Sequence, residues 1–235
     1  MPHVQGTQPS WPQAILVDFY GTVVEEDDQL ISQICVEISG TASQQVDPRT
    51  VSAYWSALFS DLCTASTGHS FITLRTLERR SLQETIRRFG SSMDEEALSG
   101  RLFAYWQQPT LFPDATVLLT EITCPVCIVS DIDRADIEAA ISQLGIQVDL
   151  VVTSEDARAY KPRPEPFRLA LGLLGLTPDQ VLHIGDSLTC DVAGATSLGI
   201  PAIWVNRTGR TRPPQQRIIH EVPDLTPVVE ILARS

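Results

Sequence analysis

Four short segments of this chain carry polar groups at, or just after, an apolar run: Ile15-Leu-Val-Asp18-Phe-Tyr20-Gly21-Thr22, Ile128-Val-Ser130-Asp131, Ala159-Tyr160-Lys161-Pro162, and Ile184-Gly185-Asp186-Ser187 continuing to Asp191. Carboxylates can attack an electrophile or hold a hard cation, and a hydroxyl and an ammonium can hold negative charge. The amine is conspicuous. Of the 17 basic residues, sixteen are Arg and one is Lys, at position 161, although Lys ordinarily ranks among the commonest residues. Either the lineage avoids Lys and this one is a remnant, or position 161 requires an amine.

The elements that must position these groups are legible as a strand and helix alternation. Five β-branched runs read as buried parallel strands: Ala14 to Phe19, Val126 to Ser130, Val148 to Thr153, Val181 to Gly185, and Ile200 to Asn206. Between the last four lie helical stripes. Ile137, Ala140, Ile141 and Leu144 are closed by Gly145; Phe167, Ala170, Leu171 and Leu174 are closed by Gly175; a third helix is expected from about Leu188 to Leu198. The fold class is therefore α/β, a Rossmann-like parallel sheet with helices on both faces, whose functional atoms lie at the C-terminal ends of the strands. Residues 25–108 break the rhythm, with helical stripes such as Leu74, Leu77, Leu82, Ile86 and Phe89. They read as an all-helical cap inserted after the first strand, over a core of residues 1–24 and 109–235. The segment from Arg207 to Arg217, rich in Pro and Arg, reads as a mobile surface loop.

Composition narrows the functions. Hydrophobic residues at 43% and charged residues at 20% are those of a globular chain with a sizeable core. The net charge of −12 argues against nucleic acid, whose phosphates demand a basic surface. No apolar run approaches the roughly 20 residues needed to span a bilayer, and no signal peptide is visible, so a cytoplasmic protein is expected. Five cysteines, an odd number in a chain too long to need staples, fit a reducing compartment. Cys124-Pro-Val-Cys127 has CxxC spacing but no second ligand pair nearby, and reads as buried strand thiols.

With these segments in order, the sequence resembles the haloacid dehalogenase (HAD) superfamily, whose four motifs are matched by Asp18-Phe-Tyr-Gly-Thr22, Ser130, Lys161-Pro162 and Gly185-Asp186-Ser-x-x-x-Asp191. The resemblance covers nearly the whole chain. It implies that Asp18 is a nucleophile forming a covalent aspartyl intermediate, with Tyr20 and Thr22 completing its loop. It further implies that Ser130 and Lys161 hold negative charge, and that Asp18, the Tyr20 backbone carbonyl, Asp186 and Asp191 hold Mg²⁺. Asp131, Trp55 and Arg75 are the candidates for contact with substrate. Two of them have a plainer alternative: Asp131 as the cap of the following helix, and Trp55, with Tyr54 and Phe59, as core of the cap. His183, inside a strand, reads as packed rather than catalytic.

The pattern departs from both branches of the family. Phosphatases place a second Asp two residues after the nucleophile, where this chain has Tyr20, a phenol of ordinary pKa about 10 and a poor base. Tyr at that place is what L-2-haloacid dehalogenases show, and a halide leaves without a proton. Those enzymes, however, need no metal, generally lack the acid at Asp186, and grip the halide with an Arg in the cap, at a place where this chain has Ser56 after Trp55. Arg49, Arg75, Arg79 and Arg80 are the available substitutes. The expected function is an aspartyl-nucleophile hydrolase acting on a small molecule by haloacid dehalogenase-like displacement at carbon. The alternatives are a Mg²⁺-dependent small-molecule phosphatase, another carbon-centred displacement in a biosynthetic pathway, or a non-catalytic HAD-fold binding protein. A small-molecule substrate is the expected partner, with a homodimer as one option for assembly.

If position 161 needs an amine, Lys161→Arg lowers turnover by about 100-fold or more, because a planar fork cannot replace a compact point charge in a crowded site. The comparison of kcat between the two proteins checks this, and near-normal turnover would return Lys161 to the remnant explanation.

Overall fold

The computed structural model describes residues 11–212 and 218–233. Six strands, β1 (Ala14–Val17), β2 (Val126–Ser130), β3 (Leu150–Thr153), β4 (Val181–Gly185), β5 (Ala202–Val205) and β6 (His220–Val222), pair in the order β3-β2-β1-β4-β5-β6. Every pairing is parallel. The helices are α1 (Asp28–Gly40), α2 (Pro48–Ala65), α3 (Leu74–Phe89), α4 (Glu95–Gln107), α5 (Pro113–Glu121), α6 (Arg134–Leu144), α7 (Ser154–Ala157), α8 (Glu165–Leu174), α9 (Gly194–Ser197) and α10 (Thr226–Ala233). The α/β class and the five expected strands are present, three of them shorter than their apolar runs. The three-residue β6 was not expected. None of the helices described is long and apolar enough to cross a membrane.

The pleat divides each strand between two cores. Ile15 and Val17 of β1, Ile128 of β2 and Ile184 of β4 face Ile137 and Ala140 of α6 and Ala115 and Leu118 of α5. Ala14 and Leu16 face the opposite layer, with Phe167 and Ala170 of α8 and the fully buried Trp204. Each such large apolar side chain contributes about 1.5–3 kcal/mol by leaving water. Strand order reverses direction between β1 and β4, the kind of switch point where open α/β sheets leave a crevice at their C-terminal edge.

The chain leaves the sheet after Val24 and returns at Leu111, the two residues being bridged. Between them, α1 to α4 bury one stripe each, among them Ile34 and Ile38, Val51 and Trp55, Leu77 and Leu82, and Leu98 and Leu102. The helix expected over Leu188 to Leu198 is a wide π turn, Leu188–Ala193, running into α9. Its opening is held by Ser187, whose Oγ accepts from the Cys190 N–H at 3.1 Å.

Two expectations are corrected. Arg75 does not face the crevice: its Nε and a terminal nitrogen donate to the two carboxylate oxygens of buried Asp136 at 2.7 and 2.5 Å, and its guanidinium lies 4.5 Å from the Phe103 ring centre. The segment from Arg207 is not loose at its start. Arg207 donates to Asp114 and to the Thr22 carbonyl at 2.7 and 2.8 Å and lies over Phe112, and Arg210 donates to the Asp186 carbonyl at 2.6 Å. Residues 213–217 of that expected loop lie outside the described residues.

Helix α3 is capped from outside its own segment. The Asp133 carboxylate, at the start of α6, accepts from the Leu74 and Arg75 backbone N–H groups at 2.7 and 3.0 Å, satisfying two of the open donors of the α3 N-terminus. Asp133→Ala should therefore cost about 1–2 kcal/mol of stability, read as a lower urea midpoint. An unchanged midpoint would show that water replaces the cap without loss.

Candidate active site

β1, β2 and β4 end side by side, so the residues that follow them converge. Asp18 follows β1, Ser130 ends β2, and Asp186 and Asp191 follow β4. Lys161 reaches them from the loop after α7. Its Nζ donates to Asp18 Oδ1 and to Asp191 Oδ1, both at 2.6 Å, and to the Val129 carbonyl at 3.1 Å. Its backbone N–H donates to Asp131 at 2.9 Å. Thr22 donates to the second oxygen of Asp18 at 3.0 Å. Asp191 also accepts from the Ser187 N–H at 2.9 Å and faces His183 Nε2 at 3.1 Å. His183 is packed, as expected, and edge-on to Phe167, yet it touches this cluster.

Room for so many carboxylates comes from two glycines. A Cβ on Gly185 would stand 2.3 Å from Asp191 Cγ, and one on Gly21, at φ +85°, would stand 2.8 Å from Asp186 Oδ1. One carboxylate oxygen each from Asp18, Asp186 and Asp191 lie within 4.8 Å of one another. Three hard oxygen donors in such a cradle suit a cation of the Mg²⁺ kind.

Charge in this cluster is unbalanced. Burial favours neutral Lys161, but Asp18, Asp191 and Asp131 outweigh it and hold the ammonium charged. Burial likewise raises Asp191, yet Lys161 and His183 together bring it below the usual carboxylate range. Asp18, buried and repelled by Asp191, is left above that range despite its contact with Lys161. One ammonium cannot neutralise both partners. Burial and the charges of Asp18 and Asp191 push Asp186 up to about 7 against the pull of Arg210. Burial also pushes Asp131 up to about 7 against the pull of Lys161.

Above the sheet edge lies a cavity of about 720 Å³, walled on one side by these residues and on the other by the helical insertion. Asp18, Tyr20, Ser130, Asp131, Lys161, Asp186, Asp191 and Trp55 all line it; Arg75 does not, and Thr22 sits behind Asp18. Tyr20 lines it with its hydroxyl committed, since that group donates to the Trp106 carbonyl of α4. Burial and the acids around it push the phenol well above its ordinary value. Trp55 donates to Ser81 at 2.9 Å.

The lining groups that were not anticipated include Asp27, Trp106 and Glu78. The signal for Glu78 was present, because it interrupts the buried face of α3 one turn from Leu74 and from Leu82. Burial, then the charge of Asp27, push its carboxyl up to about 8.

The comparisons with known proteins agree with this architecture. A family model described as haloacid dehalogenase-like hydrolase matches residues 12–199, and the chain belongs to that family. It is 27% identical over 150 residues to the (S)-2-haloacid dehalogenase 4A of Burkholderia cepacia, covering 60% of this chain and 64% of the relative. It is also 28% identical over 152 residues to the N-acylneuraminate-9-phosphatase of Rattus norvegicus, covering 60% and 61%. The chain thus spans under two thirds of the length of each. Among solved structures, an L-2-haloacid dehalogenase from Xanthobacter autotrophicus with chloropropionic acid covalently bound shares the fold. Its TM-score is 0.75 at 19% identity, over 94% of this chain and 98% of that one.

Folded Glu78 retains a proton between its ordinary pKa of 4.5 and about 8 that the unfolded chain has released. Stability from this group is full below 4.5 and is lost as pH rises through 8. Glu78→Gln should therefore be more stable than the parent at pH 8, with a gap about 1 kcal/mol or more larger than at pH 5. Chemical denaturation at the two pH values measures it, and a gap independent of pH would show that Glu78 is solvated.

Proposed function

We propose that this protein is a hydrolase in which Asp18 attacks a carbon atom whose leaving group departs without a proton, as in the haloacid dehalogenases to which it is similar. The observation that carries this reading is Tyr20. Its hydroxyl is spent on the Trp106 carbonyl and its pKa is held high, so the place where a phosphatase needs an acid and base offers neither. In the first step an Asp18 oxygen forms a bond to the carbon while the bond to the leaving group breaks, the electron pair going with the leaving group. The product is an ester on Asp18. Water then adds to that ester carbonyl, releasing an alcohol and a proton and restoring the carboxylate.

Lys161 and Thr22 hold the two oxygens of Asp18, fixing the plane from which it attacks. Ser130, at the end of β2, and Asp131 line the adjoining wall. The family places charge stabilisation at Ser130 and Lys161, and the buried ammonium suits that role. Trp55 and Asp131 stand where they could contact substrate.

A second reading, a Mg²⁺-dependent phosphatase, is favoured by the oxygen cluster of Asp18, Asp186 and Asp191. Those three residues, with the Tyr20 backbone carbonyl, would hold the ion, whose contribution is to offset the charge of an anionic group as Asp18 approaches it. A leaving group that is already a weak base would remove the need for an acid at position 20.

The two readings separate in one screen of haloacids and phosphate esters, with Mg²⁺ or with EDTA. Halide release that survives EDTA and falls at least about 1,000-fold in Asp18→Asn supports the first reading. Phosphate release that requires Mg²⁺ supports the second. Turnover undiminished in Asp18→Asn would sink both.

A further inference from the structure

The helical wall of the cavity offers carboxyl groups and no cation. These are Glu26 and Asp27, just before α1, and Glu78 of α3. The lining cations, Lys161 and Arg163, both come from the loop before α8, on the sheet side. Both are engaged: Lys161 with Asp18 and Asp191, and Arg163 with the Thr64 carbonyl at 3.1 Å. A substrate carboxylate approaching this wall meets hydroxyl groups but no cation.

Glu78 is the sharpest point on that wall. It is only 6% exposed, it lines the cavity, and its Oε1 is buried without a hydrogen-bond partner among the described residues. A buried carboxyl oxygen left unmatched costs roughly 1–3 kcal/mol, which a partner from outside the chain, water or ligand, offsets. Asp27 stands ready beside it: one of its oxygens accepts from Trp106 Nε1 at 2.8 Å, which orients the carboxylate. Trp55, Phe59, Trp106 and Tyr160 add aromatic rings to the same cavity. Acids interleaved with aromatic rings are the chemistry that recognises an organic cation.

We infer that Glu78, together with Asp27, is a specificity-determining anchor for a protonated amine on the organic part of the substrate. This rests on the reading that the cavity is the hydrolase's substrate site, and it concerns the part of the molecule that is retained, whichever group leaves. An ammonium donates to the unmatched Oε1, and its charge restores the ionised form that burial disfavours. A 2-haloacid with only a carboxylate lacks both interactions, so the substrate class is an amine-bearing small molecule rather than a simple acid.

The probes are n-butylammonium chloride and sodium butyrate, of equal chain length and opposite charge, titrated into the full chain in excess MgCl₂. Binding is followed by the fluorescence of the cavity tryptophans and by saturation-transfer NMR. The ammonium should bind at least about 10-fold more tightly than butyrate, and Glu78→Gln should lose about 10-fold of that affinity. Glu78→Asp, which keeps the charge, should recover part of it, and Asp27→Asn should weaken binding about 3-fold. A purely structural Glu78 predicts the same ammonium affinity in the parent, Glu78→Gln and Glu78→Asp. Butyrate binding as tightly as the ammonium, or Glu78→Gln binding it unchanged, overturns the proposal. Halide and phosphate release are scored on the same preparations. Ammonium binding without any turnover removes the hydrolase reading and leaves the anchor, whereas turnover of a simple 2-haloacid without ammonium preference removes the anchor and leaves the hydrolase.

Discussion

One buried ammonium organises the site. Lys161 Nζ meets a carboxylate that follows β1, a carboxylate that follows β4, and a carbonyl of β2, while its backbone N–H holds Asp131 beyond β2. Three strand ends are thereby tied to one residue from a fourth connection. Removing a cation of this kind leaves two carboxylates facing each other in a medium poorer than water, and a broken buried ion pair costs several kcal/mol. The same nitrogen also divides the acids into two kinds. Asp191, with His183 and the Ser187 N–H besides, stays ionised; Asp18, with Thr22 alone, keeps a higher affinity for a proton or for any other cation.

That division bears on why the chain combines features of two branches. A crevice with an excess of carboxylates is poorly matched to an anion until something positive enters it. Mg²⁺ at Asp18, Asp186 and Asp191, in the second reading above, and the ammonium proposed at Glu78 would answer the same imbalance. Tyr20 lines the same cavity, with its hydroxyl committed to the last helix of the insertion. It straps the loop after β1 to α4.

The residues at strand ends were legible in the sequence because a strand's period of two and a turn-making glycine fix where the chain emerges. Asp18, Ser130, Lys161, Asp186 and Asp191 could be assigned to one edge before any coordinates. The helical side was much less legible. An apolar stripe says which face of a helix is buried but not against what, so Arg75 looked like a ligand for substrate and is instead the partner of Asp136, 61 residues away. Glu78 was hidden by the same ambiguity, being a polar residue on a buried face whose neighbours come from other helices. β6 has three residues, too few for periodicity, and the π turn at Leu188–Ala193 depends on a Ser187 hydrogen bond that helical spacing does not encode.

The cap that Asp133 provides to α3 gives the insertion an unusual relation to the sheet. The helix N-terminus and the carboxylate that completes it belong to different layers, and Arg75, the second residue of that helix, is gripped by Asp136 on the next turn of α6. Any movement that lifts the insertion away from the cavity must uncap the helix it lifts, so opening and fraying of the first turn of α3 are one event. Glu78 sits one turn further along. The start of the helix that carries Glu78 is therefore completed by contacts to α6.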